Sequence, residues 1–331
     1  MTILSGLGTV LAGLAAVVVG LVLAVLAAGA VATGLIAARV EALYPPIGRF
    51  VPVAGGRLAV IEAGPAESER TIVLLHGASA SGAEPMAGVG HLLAAKGYRV
   101  LAFDRPGFGW SDRLGGPEAA SPAFQGRAIH EALDRLSVGR AILLGHSWSG
   151  ALALRMALDR PDRVAGLVLA APVALPFPPR PLPWWAHVGL YPPVLWLLSH
   201  TVAVPLGWSY LTKAAHGVFL PQSMTEGYIE AARAPLILRP GAAIANIEDL
   251  VGLPAALQEQ APRYGGITAP TVIVGGGADP VVKTEIQAGP LARIIPGARL
   301  VELPGIGHML HYVDSDALVA EVDALAARSP R

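Results

Sequence analysis

The residues best suited to covalent chemistry lie in the run Gly-His-Ser-Trp-Ser-Gly at positions 145–150. An apolar stretch precedes this run and a helix-forming stretch follows it, which predicts a strand, a sharp turn carrying Ser147, and a helix. Such a turn needs small residues two positions before and after the serine, and Gly145 and Ser149 stand there. The turn would expose the Ser147 hydroxyl and direct helix N-terminal amides toward a developing oxyanion. The alternative is a chance Gly-x-Ser in a packed strand–helix unit.

A serine hydroxyl is a weak nucleophile near neutral pH, so it needs a base within hydrogen-bond reach and an acid that orients the base. His308 follows the last predicted strand on a glycine-rich turn, and Asp279 follows the strand before it. The chain order Ser, Asp, His is the order expected for a triad on such a sheet. His311 remains an alternative base, and Asp279 alternatively serves as a plain turn residue. No other acid follows residues 164–170 until Glu226.

An oxyanion needs two preorganised N–H donors, and loss of one typically costs roughly 3 kcal/mol of transition-state stabilisation. The backbone amide of Trp148, which follows the candidate nucleophile, is the first candidate donor. The second is the amide of Ala78, which follows His76-Gly77 at the end of a predicted strand. We expect His76 to brace this loop rather than to act as a base.

Alternating strands and helices are predicted around these residues. Apolar runs predict strands at 71–75, 99–103, 141–144, 164–170, 271–274 and 298–303, and a β-hairpin at 49–53 and 57–63. Helical periodicity covers 85–96, 123–136, the stretch after Ser147, and 314–327. This alternation indicates an α/β fold, with a mostly parallel sheet and helices on both faces. Ligands bind such sheets at the carboxyl ends of the strands, where His76, Asp104 and Ser147 all stand.

The alternation stops between residues 172 and 265, which we predict to be a mostly helical insertion that caps the carboxyl edge of the sheet. The start of this insertion is rich in proline, which excludes a regular helix or a central strand there. The prolines are Pro172, Pro176, Pro178, Pro179, Pro181 and Pro183. Five aromatic residues follow: Trp184, Trp185, Tyr191, Trp196 and Trp208. The sequence leaves open whether they line an acyl pocket, enter a nearby bilayer or form the core of the cap. A second small domain is the alternative to a cap.

Residues 3–38 contain no charged side chain, and this run exceeds the roughly 20 residues that a spanning helix needs. We predict a single-pass membrane protein with one transmembrane helix within Leu7–Ile36. A cleaved signal peptide with a small-residue site at 28–30 is the alternative, but the apolar run is too long and lacks a basic start. Three arginines follow the helix: Arg39, Arg49 and Arg57. By the positive-inside rule they favour a cytoplasmic catalytic domain.

The remaining composition sets broad limits on partners and chemistry. Among 331 residues, Lys+Arg and Asp+Glu both number 24, so no nucleic-acid partner is expected. The absence of cysteine excludes disulfides, thiol catalysis and cysteine-ligated zinc. We divide the chain into an anchor (1–40), a proline-stiffened linker (41–48), the first part of the core (49–171), the cap (172–265) and the second part of the core (266–331).

Five motifs in order carry a family resemblance: His-Gly at 76–77, Asp-Arg-Pro-Gly-Phe-Gly-Trp-Ser at 104–111, and the runs at 145–150, 276–279 and 305–308. Over about Arg49 to Ala327 the chain resembles capped α/β-hydrolases of the esterase, lipase and C–C hydrolase kind. The resemblance implies a triad of Ser147, Asp279 and His308, an oxyanion hole from Ala78 and Trp148, and no metal or cofactor. Ser149 in place of glycine and the membrane helix depart from the common pattern.

The function expected from these features is hydrolysis of a carboxylic ester, with an apolar acyl group, through an acyl-enzyme. The partners expected are a small-molecule ester or lipid-like substrate and, through the N-terminal helix, a lipid bilayer. A C–C bond hydrolase or perhydrolase on the same triad is the alternative, as is a non-catalytic ligand-binding member of the fold. Related dehalogenases and epoxide hydrolases use an aspartate nucleophile, and Ser147 argues against both.

Overall fold

The computed structural model describes residues 2–178 and 183–329, with side chains from residue 11 onward. The strands are β1 (Arg49–Val53), β2 (Gly56–Ala63), β3 (Thr71–Leu75), β4 (Arg99–Phe103), β5 (Ala141–His146), β6 (Val164–Ala170), β7 (Thr271–Gly276) and β8 (Arg299–Leu303). The helices are α1 (Thr2–Leu43), α2 (Ala83–Pro85), α3 (His91–Ala95), α4 (Pro122–Arg135), α5 (Ser149–Asp159), α6 (Trp184–Leu190), α7 (Pro192–His200), α8 (Ala203–Phe219), α9 (Tyr228–Ala231), α10 (Pro240–Gln260), α11 (Ala288–Ile294), α12 (Leu310–Val313) and α13 (Ser315–Arg328).

All eight strands belong to one sheet, in the order β1-β2-β4-β3-β5-β6-β7-β8. The hairpin strands β1 and β2 pair antiparallel, and β2 also pairs antiparallel with β4. The pairs from β4 through β8 are all parallel. The predicted α/β fold with a mostly parallel sheet is therefore confirmed, and the hairpin supplies its antiparallel edge.

The central strands read as continuous apolar runs because both faces of the sheet are covered. In β3, Ile72 and Leu74 join one buried cluster, with residues of α3 and α13. Val73 and Leu75 point the other way and join a second buried cluster, with residues of α4 and α5. Successive strand residues face opposite sides, so two covered faces leave no position for a polar side chain. The core therefore lies in two layers, one on each side of the sheet.

The insertion between β6 and β7 is mostly helical, as predicted, and contains α6 to α10. Pro172, Pro176 and Pro178 lie outside helices and strands, and Pro183 directly precedes α6. Pro179 and Pro181 lie outside the described residues. A proline is nevertheless accommodated within α10, at Pro254.

Helix α1 extends three residues beyond the predicted end of the anchor at residue 40, so residues 41–43 of the predicted linker are helical. Glu41, Ala42 and Leu43 are favourable helix formers, and the helix ends just before Pro45, which disfavours helical backbone at the residue preceding it. The stretch Leu11–Leu43 is long and apolar enough to cross a membrane, and the mean hydropathy of its 18-residue window is 2.8.

The helix predicted over residues 85–96 begins two residues earlier and is not uniform. It consists of α2, one π-helical turn at Met86–Gly90, and α3. Gly88 and Gly90 lie within this turn, where added Cβ atoms would come within 3.0 Å of neighbouring atoms, 2.8 Å from the His311 carbonyl oxygen for Gly88 and 2.5 Å from the Met86 sulfur for Gly90. The two glycines therefore let the turn pack closely against its surroundings.

Candidate active site

Ser147 occupies the turn between β5 and α5, in a left-handed backbone conformation with φ of 52°. This conformation is strained for a residue with a side chain, at a cost of order 1–3 kcal/mol. Backbone bonds hold it: the Ser147 N–H donates to the Ala170 carbonyl at 3.0 Å, and the Ser147 carbonyl accepts from Gly150 and Val173, both at 2.9 Å. The turn is thus fixed to both its own helix and the neighbouring strand β6.

Small residues around Ser147 are required by close packing. A Cβ on Gly145 would lie 2.4 Å from the Ser149 carbonyl oxygen, and one on Gly150 would lie 2.5 Å from the Pro172 Cβ. Ser149 is fully buried, and its hydroxyl donates to the His76 carbonyl at 2.5 Å. The serine that replaces the usual glycine therefore ties the nucleophile turn to the loop after β3.

His308 and Asp279 form a hydrogen-bonded pair beside this turn. His308 Nδ1 donates to Asp279 Oδ2 at 2.7 Å, and both side chains are buried. The other carboxylate oxygen of Asp279 accepts from the backbone N–H groups of Val281 and Val282, at 2.7 and 2.9 Å. This bonding assigns the proton to Nδ1 of neutral His308 and leaves Nε2 as an acceptor. Ser147 and His308 line the same cavity, of about 260 Å³.

His311, the alternative base, has a different partner. Its side chain is fully buried, and its Nε2 is hydrogen-bonded to Glu84 Oε1 rather than to Asp279. Its ring lies 4.2 Å from that of His146. The ligand atoms of Glu84, His146 and His311 lie within 4.8 Å of one another, a grouping that could hold a metal ion. The Glu84–His311 bond occupies one ligand atom of each residue, and His146 Nε2 faces the His308 carbonyl at 3.2 Å.

The two candidate oxyanion donors flank the nucleophile. Gly77 packs so closely that its Cβ would lie 3.2 Å from the Ser147 Cβ, which brings the adjacent Ala78 to the cavity wall. Among the described residues, no oxygen accepts a hydrogen bond from the backbone N–H of Ala78 or of Trp148. Both N–H groups are therefore left without an acceptor among the described residues, and their role as oxyanion donors stays a prediction.

His76 is a bracing residue. Its Nδ1–H donates to the Gly77 carbonyl at 2.8 Å, and its Nε2 accepts from the backbone N–H of Arg105 at 3.0 Å. Complete burial lowers the pKa of His76 well below its usual value, with the Arg105 charge adding to the effect. The imidazole is thus neutral and holds the loop that carries Ala78.

Arg105 is a site residue whose role sequence reasoning missed. Its fully buried guanidinium donates to the His76 and Gly77 carbonyls, both at 3.2 Å, and so fixes the path of the loop before Ala78. It also donates to Asp249 at 2.5 Å and Gln125 at 2.9 Å. The position of Arg105 inside the motif at 104–111 was a sequence signal that could have indicated its role. No sequence signal marked Asp249, because it is one of several acidic residues on the insertion helix α10.

Asp104, the first residue after β4, joins its own loop to the segment after β3. Its two carboxylate oxygens accept from the backbone N–H groups of Gly82 and Trp110, each at 2.7 Å. Burial raises the pKa of Asp104 to about 6, although both hydrogen bonds oppose that rise. Asp104 is therefore a structural acid of the motif at 104–111.

The cavity in front of Ser147 is mostly apolar. Helix α8 contributes one wall, formed by Leu211, Ala214, Ala215 and Val218. Among the described lining residues, Glu84 carries a carboxylate, and none is lysine or arginine. The chemistry available is thus a serine hydroxyl, a histidine oriented by an acid, and an apolar chamber.

A family model for the alpha/beta hydrolase fold matches residues 70–315. The chain belongs to the α/β-hydrolase family. As a member of this family of hydrolytic enzymes, it carries its Ser147, Asp279 and His308 on the loops after β5, β7 and β8, at the carboxyl edge of the sheet.

Three relatives show how far the likeness extends. A 2-hydroxy-6-oxononadienedioate/2-hydroxy-6-oxononatrienedioate hydrolase of Cupriavidus pinatubonensis is 28% identical over 254 residues, which are 75% of this chain and 83% of the relative. The enol-lactonase of Burkholderia xenovorans superposes with a TM-score of 0.67 at 22% identity, covering 84% of this chain and all of that one. An esterase of Exiguobacterium antarcticum superposes with a TM-score of 0.65 at 21% identity, covering 84% and 98%.

Proposed function

We propose that this α/β-hydrolase is a membrane-anchored serine esterase that cleaves carboxylic esters with an apolar acyl group. The observation that carries the proposal is a single cavity lined by both Ser147 and His308, with His308 bonded to Asp279 at 2.7 Å. A base oriented by a buried acid beside a serine on a strained turn is the arrangement that activates a hydroxyl for attack on an acyl carbon.

The reaction proceeds in two halves. The Ser147 oxygen bonds to the ester carbonyl carbon while His308 Nε2 takes the hydroxyl proton, and the amides of Ala78 and Trp148 bind the oxyanion. The carbon–oxygen bond to the alcohol then breaks, and His308 gives its proton to the leaving alcohol. A water molecule, activated by His308, adds to the acyl-enzyme and releases the acid and free Ser147.

The lining of the cavity favours a neutral, apolar acyl group. The α8 wall is formed by Leu211, Ala214, Ala215 and Val218. An anionic substrate would need a cation, because a charge buried without a partner carries a large desolvation penalty. The described lining supplies no lysine or arginine and places the Glu84 carboxylate there instead.

C–C bond hydrolysis is the second candidate function. The relative from Cupriavidus pinatubonensis is named for that type of substrate, a dicarboxylate, and is 28% identical. The same triad suits that reaction, so the family match favours both functions. The uncharged α8 wall favours the ester.

The membrane anchor is part of the proposal. Helix α1 contains an uninterrupted apolar stretch of which the most apolar 18-residue window is 0% buried against the protein. An exposed apolar surface of this extent is stabilised by lipid and is unfavourable in water.

The test is hydrolysis of p-nitrophenyl esters from acetate to palmitate by the full-length protein in detergent micelles. We expect turnover that peaks at a medium or long acyl chain and falls about 10⁵- to 10⁶-fold in Ser147→Ala. Ser209→Ala, at an exposed serine of α8, is the matched control and should retain full activity.

The competing substrate is 2-hydroxy-6-oxo-6-phenylhexa-2,4-dienoate, assayed with the same preparations. Faster cleavage of this compound than of any ester would contradict the esterase hypothesis and favour C–C bond hydrolysis. Ester turnover that survives Ser147→Ala would show that Ser147 is not the nucleophile.

A further inference from the structure

Helices α6 to α8 present an aromatic and apolar surface to solvent. Its members, here called the aromatic surface, are half or more exposed: Trp184 (77%), Trp185 (63%), Tyr191 (62%), Trp196 (57%), Leu206 (66%) and Tyr210 (56%). Clustered exposure of large apolar side chains on this scale marks a contact surface rather than ordinary protein exterior.

The segment that carries this surface is almost free of charge. Between Trp184 and Phe219 the chain has one charged residue, Lys213, and no acid. Transfer of such a segment into a lipid headgroup region therefore carries almost no ionic desolvation cost. Tryptophan and tyrosine are the residues most enriched at that depth, because they combine a large apolar ring with a polar N–H or O–H.

The junction between α7 and α8, two helices of the aromatic surface, packs against α1. Thr33 Oγ1 donates at 2.7 Å to the carbonyl of Thr201, the first of the two residues between α7 and α8. Gly29 packs against the same carbonyl: a Cβ added to Gly29 would lie 2.9 Å from the Thr201 carbonyl oxygen. The α7–α8 junction is thus fixed to α1 within about one and a half helical turns after Ala28.

Helix lengths place that junction at the membrane surface. The part of α1 that precedes Gly29 is about 40 Å long at 1.5 Å per residue, and the hydrocarbon core is about 30 Å thick. A span that used this part would end within about 10 Å of the Gly29–Thr201 contact. A span shifted toward the carboxyl end of α1 would draw the junction deeper into the bilayer.

The same helix α8 separates the aromatic surface from the active-site cavity. Leu206 and Tyr210 face outward, whereas Leu211, Ala215 and Val218 line the cavity. A membrane beneath the aromatic surface would therefore lie one helix away from Ser147.

We propose that the aromatic surface lies in the interfacial layer of the bilayer that α1 spans, so that the cavity takes its apolar substrates from the membrane. This inference rests on the proposed anchor. It commits to the lipid bilayer as the occupant, because the surface is continuous with α1 and nearly uncharged.

The experiment is nitroxide accessibility in the full-length protein reconstituted in phosphatidylcholine vesicles. The chain has no native cysteine, so single labels are unambiguous. Leu206→Cys and Trp196→Cys report on the aromatic surface, and Val19→Cys reports on α1. Leu92→Cys is the matched control, since Leu92 is 40% exposed on α3, which leads into the amino end of β4, opposite the edge that carries the site.

We expect the labels at 206, 196 and 19 to be accessible to oxygen and protected from a water-soluble nickel chelate, with the reverse at 92. Water-like accessibility at 206 and 196 with a lipid-like label at 19 would overturn the inference and leave the anchor intact. Water-like labels at all four positions would overturn both. Protection from both reagents at 206 and 196 would show a protein partner there and would also overturn the inference.

A measurement without substitutions guards against misfolded variants. Four of the six tryptophans lie in the segment from Trp184 to Trp208. Spin-labelled lipids should therefore quench most of the fluorescence of the unlabelled protein. Unquenched fluorescence would count against the inference independently, while ester hydrolysis by each labelled variant tests its fold.

Discussion

The guanidinium of Arg105 and the carboxylate of Asp249 form an ion pair, 2.5 Å apart, with side-chain exposures of 0% and 1%. The pair joins the loop after β4 to helix α10 of the insertion. Arg105 also lies under the ring of Trp148, whose indole N–H donates to the Asp249 backbone carbonyl at 3.1 Å. The loop before Ala78, the residue after the nucleophile, and the insertion therefore meet at Arg105 and the buried carboxylate of Asp249, which Arg113 also contacts at 3.1 Å.

Removing the charge of Asp249 should strongly destabilise the protein. Asp249→Asn leaves the Arg105 guanidinium buried without a counter-ion, and breaking such a pair costs about 3–5 kcal/mol. Glu248→Gln is the control, because Glu248 pairs with Arg113 at a half-buried position and should change stability by less than about 1 kcal/mol. Urea unfolding of both variants in detergent measures the difference, and equal losses would contradict the special role of the Arg105 pair.

Substitution of His308 should reduce ester hydrolysis far more than substitution of the neighbouring His311. His308→Gln removes the group bonded to Asp279 and should lower kcat for an ester by about 10⁴-fold or more. His311→Gln keeps a donor for Glu84, and we expect its kcat to stay within about 10-fold of wild type. Steady-state kinetics with one p-nitrophenyl ester tests both. A larger loss in His311→Gln than in His308→Gln would make His311 the base.

Glycine at position 145 should be indispensable. Gly145→Ala would place a Cβ 2.4 Å from the Ser149 carbonyl oxygen, so the nucleophile turn must shift. We expect at least about 10²-fold loss of kcat/KM, since small displacements of reacting groups have effects of that size. Gly139→Ala is the control, because no atom lies within 4 Å of its Cβ position. Comparable activity in the two variants would show that the turn is not as constrained as its packing indicates.

Acid should destabilise the protein through its buried histidines. Burial lowers the pKa of His76 and of His146 well below 6.5, and it also lowers the pKa of His130. Below about pH 6.5 these histidines bind protons in the unfolded chain but stay unprotonated in the native state until the pH is lower. The free energy of unfolding therefore falls as pH falls, by up to about 1.4 kcal/mol per pH unit for each histidine.

Asp104 opposes this trend. Its pKa is raised to about 6, so between its ordinary value of 3.8 and pH 6 the native state binds the extra proton and gains stability as pH falls. Urea unfolding of wild type from pH 7.5 to 5 measures the net slope. His130→Gln should flatten it, whereas His91→Gln, at an exposed histidine, should not. Identical slopes in wild type and His130→Gln would contradict the lowered pKa of His130.

The sequence by itself determined the parts of the fold that local patterns encode. Apolar runs such as Thr71–Leu75 exist because both sheet faces are covered, and this requirement is visible without the fold. The order of Ser147, Asp279 and His308 along those strands predicted one shared edge, because parallel strands end together. The uncharged N-terminal run predicted the long apolar helix for the same local reason.

Tertiary structure decided the features that depend on distant residues. The choice of acid for each histidine, Asp279 for His308 and Glu84 for His311, follows from which loops and helices pack together. The pairing of Arg105 with Asp249 joins positions 144 residues apart and has no local pattern. The sequence left three roles open for the insertion aromatics. Only packing showed that Trp184, Trp185 and Trp196 face outward, because burial depends on which side of α6 and α7 the rest of the chain covers.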